Sequence, residues 1–513
     1  MLRKIRIALA AFFFIGITLL FMGIGHNWWG WMAKLQFLPS ALALNLVVVA
    51  IILLACFLFG RVYCSTICPM GVFQDIVIWL RRTIGKWQRN RGVRKLQRMK
   101  EQGLKPGPEA KNLIKHFEYK YIPEHAWVRY GFLVLSLVSL FVSGQMLIAL
   151  VAPYSAYGRI VRSIVGLANG SVAVPLLITG LVTLVFIGCC AWFWGREYCN
   201  TICPVGTTLS LVSRFALFRP VIDTTKCTQC GRCERGCKSS CIDYKTGHID
   251  YSRCVGCFDC MERCKEKGLK YRFVGFGKGI PGQARNDDNG ARNDGGVKLA
   301  NDEKTAANDT GRRAFIATTA LVGTALAAKA QHAQGGLADV TPKEAPLRGT
   351  RLVPPGAESV KSFYDHCTAC QLCVSACPNG VLRPSTDFEH FLQPQMGYEN
   401  GYCRPECHAC SDVCPAGAIR PLKPGQKQTI AIGLAHVNLE LCFAANGTAS
   451  CGNCAHHCPS GAIRMVDLEG ARFKVPTVSE AQCIGCGACE FLCPSRPISA
   501  ITVRGNSTHH TNA

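Results

Sequence analysis

Hydrophobic and polar positions divide this chain into two unlike halves. In the first, four long apolar stretches, roughly Ile7–Gly25, Pro39–Gly60, Trp127–Val151 and Val172–Gly195, alternate with polar segments. Each is about 20 residues long, the length a helix needs to cross a bilayer. The pattern therefore predicts four transmembrane helices within residues 1–219. Beyond that point the long apolar runs stop. Short polar segments take over, crowded with cysteine and broken by glycine and proline, which predicts small modules rather than one large core.

Charge refines this picture. The formal net charge of +24 suggests a nucleic-acid binder, but the basic residues are concentrated. Fourteen Lys and Arg lie between Arg61 and Lys120, flanked by apolar stretches. A basic loop between membrane spans marks the cytoplasmic side. Arg3, Lys4 and Arg6 place the amino terminus there too, and Arg196 onward returns to the cytoplasm after four crossings. The loop from His26 to Leu38 has one Lys and the loop after the third span only Arg159 and Arg162, so both are expected outside. Membrane topology accounts for the charge, and no nucleic-acid partner is expected. The spans are taken to be free of ionisable groups, which argues against ion pumping and bis-histidine haem.

A repeat sits at the ends of the second and fourth spans. Residues 60–71 read GRVYCSTICPMG and residues 195–206 read GREYCNTICPVG. Two similar helix pairs related by an axis along the membrane normal are implied. Cysteines four apart share one face of a helical turn. Cys64, Cys68, Cys199 and Cys203 are thus candidates to hold one further metal or cluster jointly, or to act as redox thiols; alternatively they only shape a tight turn. Cys56, Cys189 and Cys190 lie inside spans and read as apolar packing residues.

The remaining cysteines fall in tetrads. Cys227-x2-Cys230-x2-Cys233-x3-Cys237 and Cys254-x2-Cys257-x2-Cys260-x3-Cys264 have the spacing of a bacterial two-cluster ferredoxin, in which the fourth Cys of each run serves the other cluster. Zinc sites use two Cys-x2-Cys pairs instead. One [4Fe–4S] cluster is assigned to Cys227, Cys230, Cys233 and Cys264, the other to Cys254, Cys257, Cys260 and Cys237, with Cys241 as an alternative to Cys237. Lys238 and Lys265 stand where proline normally follows the fourth Cys.

Four further runs follow: Cys367/Cys370/Cys373/Cys377, Cys403/Cys407/Cys410/Cys414, Cys442/Cys451/Cys454/Cys458 and Cys483/Cys486/Cys489/Cys493, each ending in proline. Crossing the fourth ligands assigns Cys414 to the first, Cys377 to the second, Cys493 to the third and Cys458 to the fourth. In all, 24 of the 32 cysteines are assigned to six [4Fe–4S] clusters. Ala418–Ile419, Ala462–Ile463 and Ile498 are expected to begin short strands over these clusters. The fold class is a membrane all-α domain of four transmembrane helices plus α+β bacterial two-cluster ferredoxin-like domains.

The domain limits are 1–219 (membrane), 220–274 (first ferredoxin domain), 275–311 (flexible linker), 312–330 (signal or anchor) and 331–513 (four-cluster domain). The linker is rich in Gly, Asn, Asp and Ala and cannot bury a core. It ends at Arg312–Arg313, followed by Phe315, Ile316 and an apolar run to Ala328, which resembles a twin-arginine export signal. Residues 220–274 are therefore expected in the cytoplasm and 331–513 in the periplasm.

Residues 1–272 resemble the NapH/MauN-type membrane ferredoxin proteins, on the twin Cys-x3-Cys-Pro motifs and the paired cysteine runs. Residues 310–505 resemble the NapG/MauM-type exported ferredoxins, on the twin arginine, RLVPPGA at 351–357, IGLAHVNLELC at 432–442 and ARFKVPTV at 471–478. The resemblance implies a fusion of two partners in a bacterial inner membrane. As a quinol dehydrogenase component it would take electrons from the quinol pool for a periplasmic reductase or cytochrome, as in nitrate-reductase systems. The quinone site has no short motif. The alternative is a redox or maturation factor for an exported metalloenzyme.

Overall fold

The computed structural model describes residues 2–101, 119–141, 145–169, 174–223, 225–274, 341–387 and 389–512. The expected linker and twin-arginine segment lie outside the described residues. Residues 1–282 and 343–513 form one compact unit, and residues 283–342, almost wholly outside the described residues, form the second.

Two of the four predicted spans are unbroken. α1 (Leu2–Phe21) and α9 (Val174–Trp194) are the two described helices long and apolar enough to cross a bilayer. The second predicted span is split into α3 (Phe37–Leu42) and α4 (Leu46–Phe59). Leu44 takes a left-handed φ of 53°, and Asn45 accepts a hydrogen bond from the Val48 amide to start a new helix. In the third, the described residues form α6 (Ala126–Phe141) and α7 (Gln145–Val151), and residues 142–144 lie outside them. The expectation of four spanning helices is thus corrected: among the described residues two helices are long and apolar enough to cross a bilayer, and the second segment is split.

The third segment also departs from the uncharged pattern. Arg129 lies within it, fully buried, donating to Glu124 Oε1 at 2.6 Å and to the hydroxyl of Ser252 at 3.1 Å. The segment supplies a cation that ties α6 to the first cysteine module, and neighbouring Glu124 balances it.

The two expected outside loops are helices packed on the bundle. α2 (His26–Lys34) packs along α1, with Phe12 and Trp29 edge to face at 5.9 Å and Phe13 and Trp31 at 6.0 Å. Gly16 admits this approach, since a Cβ there would overlap Met32. α8 (Pro153–Asn169) is apolar on one face and buries Tyr154, Tyr157, Ile160 and Val161. Polar residues on the opposite face gave these segments the look of loops. α5 (Pro69–Glu101) and α10 (Pro204–Ser213) follow the two cysteine motifs.

The cysteine-rich modules are held by short antiparallel ribbons, all two-stranded among the described residues. In the first module, β1 (Phe218–Ile222) pairs with β2 (Leu269–Phe273). In the second, β3 (Leu382–Pro384) pairs with β4 (Pro394–Met396), and β5 (Ile430–Val437) with β8 (Ile501–Thr511). Between them β6 (Ile463–Val466) pairs with β7 (Val475–Val478). Ile463 therefore begins a strand as expected. Ala418 and Ile419 are buried without forming one, and Ile498 stays half exposed ahead of β8.

α1 positions both modules. Near its start Arg3 pairs with Asp259 of the first module at 2.9 Å. Just past its far end, Gly23 abuts the Ser375 carbonyl of the second. Twenty helical residues separate these contacts by about 30 Å, so the two modules occupy opposite ends of one helix.

Candidate metal centres

Each thiol set is built from a turn, a short helix and a residue from the neighbouring run. In the first module a cavity of about 340 Å³ is lined by Cys227, Cys230, Cys233 and Cys264. The next set brings Cys254, Cys257 and Cys237 within electrostatic range of Cys260. Cys237 and Cys241 have their sulfurs 3.5 Å apart, so only one can occupy that corner. A hydrogen bond from the Cys241 thiol holds Cys237 below the ordinary thiol range, while Cys241 is pushed up by its bonds to Cys237 and Cys254. Cys241 thus stands as a donor beside the Cys237 sulfur.

The second module repeats this four times. Cys367, Cys370 and Cys373 meet Cys414; Cys403, Cys407 and Cys410 meet Cys377. Cys442, Cys451 and Cys454 meet Cys493; Cys483, Cys486 and Cys489 meet Cys458. Every crossed fourth cysteine predicted from spacing therefore reaches the set to which it was assigned. No group of three or more His, Cys, Asp or Glu among the described residues stands at single-ion spacing. Four thiols, the fourth crossed from a neighbouring run, are the donor set of iron–sulfur clusters.

The sets are also ordered. Cys373 lies near Cys410. Cys403 lies near Cys486, its amide bonding the Cys486 carbonyl at 2.9 Å. Cys489 lies near Cys454. The order in space is thus run one, run two, run four, run three. In the first module Cys233 lies near Cys260, joining its two sets.

Between the modules stand the membrane-edge motifs. Gly60 and Gly195 end α4 and α9 with left-handed φ of 76° and 75°. That turn aims Arg61 and Arg196 into the bundle, where both are fully buried. Arg61 Nη2 donates to the Cys199 carbonyl at 2.9 Å, and Arg196 Nη1 to the Cys64 carbonyl at 2.7 Å. Cys68 and Cys203 sit at the starts of α5 and α10, accepting hydrogen bonds from the amides of Gly71 and Gly206. All four motif cysteines are buried, and every pair is within electrostatic range. The fold thus brings the four motif thiols near one another. Cys56, expected as packing, is buried with its thiol on the Leu209 carbonyl; Cys189 is exposed and Cys190 half buried.

Lys238 and Lys265 part company. Lys265 is exposed. Lys238 is buried, with Nζ 3.3 Å from Asp75 and 3.1 Å from Asp259. Asp75 also takes Arg6 at 2.8 Å and Arg196 at 2.8 Å. Burial alone would raise the Asp75 carboxyl, but Arg196, Lys238 and Arg6 overcome it and hold it below the usual carboxylate range. Nothing in the sequence marked Asp75 as the post to which three elements are tied.

Residues 41–86 and 175–222 match a family described as a 4Fe-4S binding domain, and residues 366–418 and 449–496 a 4Fe-4S dicluster domain. The fold and its thiol sets define a ferredoxin-type iron–sulfur protein. The chain is 30% identical to the methylamine utilization ferredoxin-type protein MauM of Paracoccus denitrificans over 195 residues, 36% of this chain and 85% of MauM. It is 30% identical to the ferredoxin-type protein NapF of Escherichia coli over 157 residues, 30% of this chain and 86% of NapF. The chain belongs to this family of ferredoxin-type proteins. The ferredoxin-type protein NapH of Haemophilus influenzae is 30% identical over 197 residues, 38% of this chain, and the chain spans about half (54%) of its length. No solved structure matches.

Proposed function

We propose that the chain is a membrane-bound electron carrier, a NapH-like half joined to a MauM-like half, that takes electrons from quinol and delivers them to a periplasmic reductase. Six [4Fe–4S] clusters held by the 24 assigned cysteines would supply one-electron transfer. The observation that carries this reading is the placement of the two cysteine modules at opposite ends of α1, with the buried motif cysteines between them.

Other features support it. Large apolar side chains stand exposed along α1, α4 and α9, among them Ile5, Phe12, Ile15, Val47, Ile51, Leu54, Ile178, Val182 and Val185. A belt of that size on three helices is what lipid covers. Trp28 and Trp127 are also exposed, as suits membrane interfaces. The first module lies where the basic α5 begins, the second where the basic residues are few, which agrees with a cytoplasmic and a periplasmic module.

Menaquinol added anaerobically to the purified protein should reduce part of the clusters, read by electron paramagnetic resonance. If dithionite reduces them and no quinol does, the reading fails. The likeness to MauM, a methylamine utilization protein, favours a second reading as a redox factor in maturing an exported metalloenzyme. Deletion would then leave the client enzyme lacking its cofactor rather than loaded and starved of electrons.

A further inference from the structure

We propose that Cys64, Cys68, Cys199 and Cys203 hold one additional iron–sulfur cluster, shared between the two repeats and lying between the two series of thiol sets. Within residues 41–86 the motif supplies only Cys64 and Cys68, and within 175–222 only Cys199 and Cys203. Each repeat supplies two motif thiols, and the fold brings the four together. The four are buried in one core cluster and mutually close.

A second observation points independently to an anion at this site. Arg61 is fully buried and no carboxylate among the described residues pairs with it. Its guanidinium faces Asn200 Oδ1 at 3.0 Å, the carbonyls of Ser252 and Cys199, and the Cys64 sulfur at 4.0 Å, while Nε has no partner. A buried arginine left in this way is costly unless negative charge lies beside it. Arg196, Arg6 and Lys238 add three more cations, and Asp75 and Asp259 supply two anions. Arg129 also stands near Arg61, so cations crowd this side of the site; four thiolates around an oxidised cluster core carry about two negative charges.

The hydrogen bonds also suit ligating thiolates. Cys203 accepts from the Gly206 amide at 3.4 Å and Cys68 from the Gly71 amide, each at a helix start. Cys199 accepts from Gln74 Nε2 at 3.3 Å. Donors aimed at sulfur are one means by which a protein sets a cluster's potential.

The site also has a neighbour on each side. Cys254 lies near Arg61 and Cys257 near Arg196. On the other side Tyr63 lies near Cys68 and Tyr154, and Tyr154 lies near Cys370 and Cys414. The cluster itself rests on this geometry alone; its place as the bridge rests on the electron-carrier reading above.

Iron content tests the cluster without any assay of function. Full-length protein, reconstituted anaerobically with iron and sulfide, should bind about 28 irons per chain rather than about 24. Cys64→Ser and Cys199→Ser should each lose about four, or about two if the cluster is binuclear, and the double variant should lose no more than either single one. Cys56→Ser is the control for a buried thiol nearby and should lose none. Unchanged iron in the single variants, a Cys64–Cys199 disulfide found by mass spectrometry, or a twofold larger loss in the double variant would each overturn the proposal. Should the serine variants fail to fold, Mössbauer spectra of the wild type decide, and iron for only six clusters contradicts it.

Discussion

Arg61 and Arg196 reach across to each other's repeat: the first donates to the Cys199 carbonyl at 2.9 Å, the second to the Cys64 carbonyl at 2.7 Å. The exchange locks the two motif turns together and needs room at one glycine on each side. A Cβ on Gly71 would overlap the Cys64 carbonyl and approach Arg196; on Gly206 it would overlap the Cys199 carbonyl and approach Arg61. Gly71→Ala and Gly206→Ala should each cost about 2 kcal/mol or more. Gly131→Ala, where nothing lies within 4 Å, should be neutral or slightly stabilising. Melting curves in detergent distinguish these outcomes.

The cation cluster on Asp75 makes a separate prediction. Asp75→Asn leaves Arg6, Arg196 and Lys238 with no shared carboxylate and should destabilise the junction of α5 with the first module by about 3–5 kcal/mol. Because the folded carboxyl is held below its ordinary value of 3.8, its contribution is full above that pH. It is lost only as pH falls further, through the lower folded value. Limited proteolysis of residues 220–274 should therefore stay slow to about pH 4 in the wild type and be fast at neutral pH in Asp75→Asn.

His509 also loses stability toward acid, but in a higher pH window. Burial pushes its imidazole from 6.5 down to about 4, and a hydrogen bond at the Ala357 backbone only partly offsets this. The unfolded chain takes up this proton before the folded one, so stability present above pH 6.5 declines as pH falls toward 4. Hydrogen exchange along the β5–β8 ribbon should accelerate across that window. His509→Phe should remove most of the pH dependence.

The order of thiol sets predicts which cysteine is indispensable. With run one nearest the helical bundle and run three farthest, Cys414→Ser should block reduction of all clusters of the second module from the membrane side. Cys493→Ser should silence only the terminal set, and the other three should still be reduced. Equal effects of the two substitutions on quinol-driven signals would contradict a linear series.

What the sequence made legible follows from what each feature depends on. The cysteine runs are local in spacing, so which thiols stand near one another could be read from the sequence. The partnership of Cys64, Cys68, Cys199 and Cys203 was legible because a repeat brings its equivalents together. The break at Leu44 was not, since one left-handed residue leaves no trace in an apolar run. α2 and α8 read as loops because their polar faces hide the apolar stripe that packs on the bundle. Arg61, Arg159 and Arg196 looked like charges of membrane edges and loops, and Arg129 was missed in a span taken to be uncharged; only the fold shows all four fully buried. Lys238 likewise stood beside a cysteine in sequence, and its tie to Asp75 depends on a contact 163 positions away.

The central claim is that the two cysteine modules work on opposite sides of a membrane. Protease protection in sealed, right-side-out membrane vesicles, with epitopes placed in residues 220–274 and 341–512, tests it most directly. The account predicts that the second module is cut from outside while the first is protected, and that inverted vesicles reverse the pattern. Protection or cleavage of both modules together, in vesicles of either orientation, would contradict it.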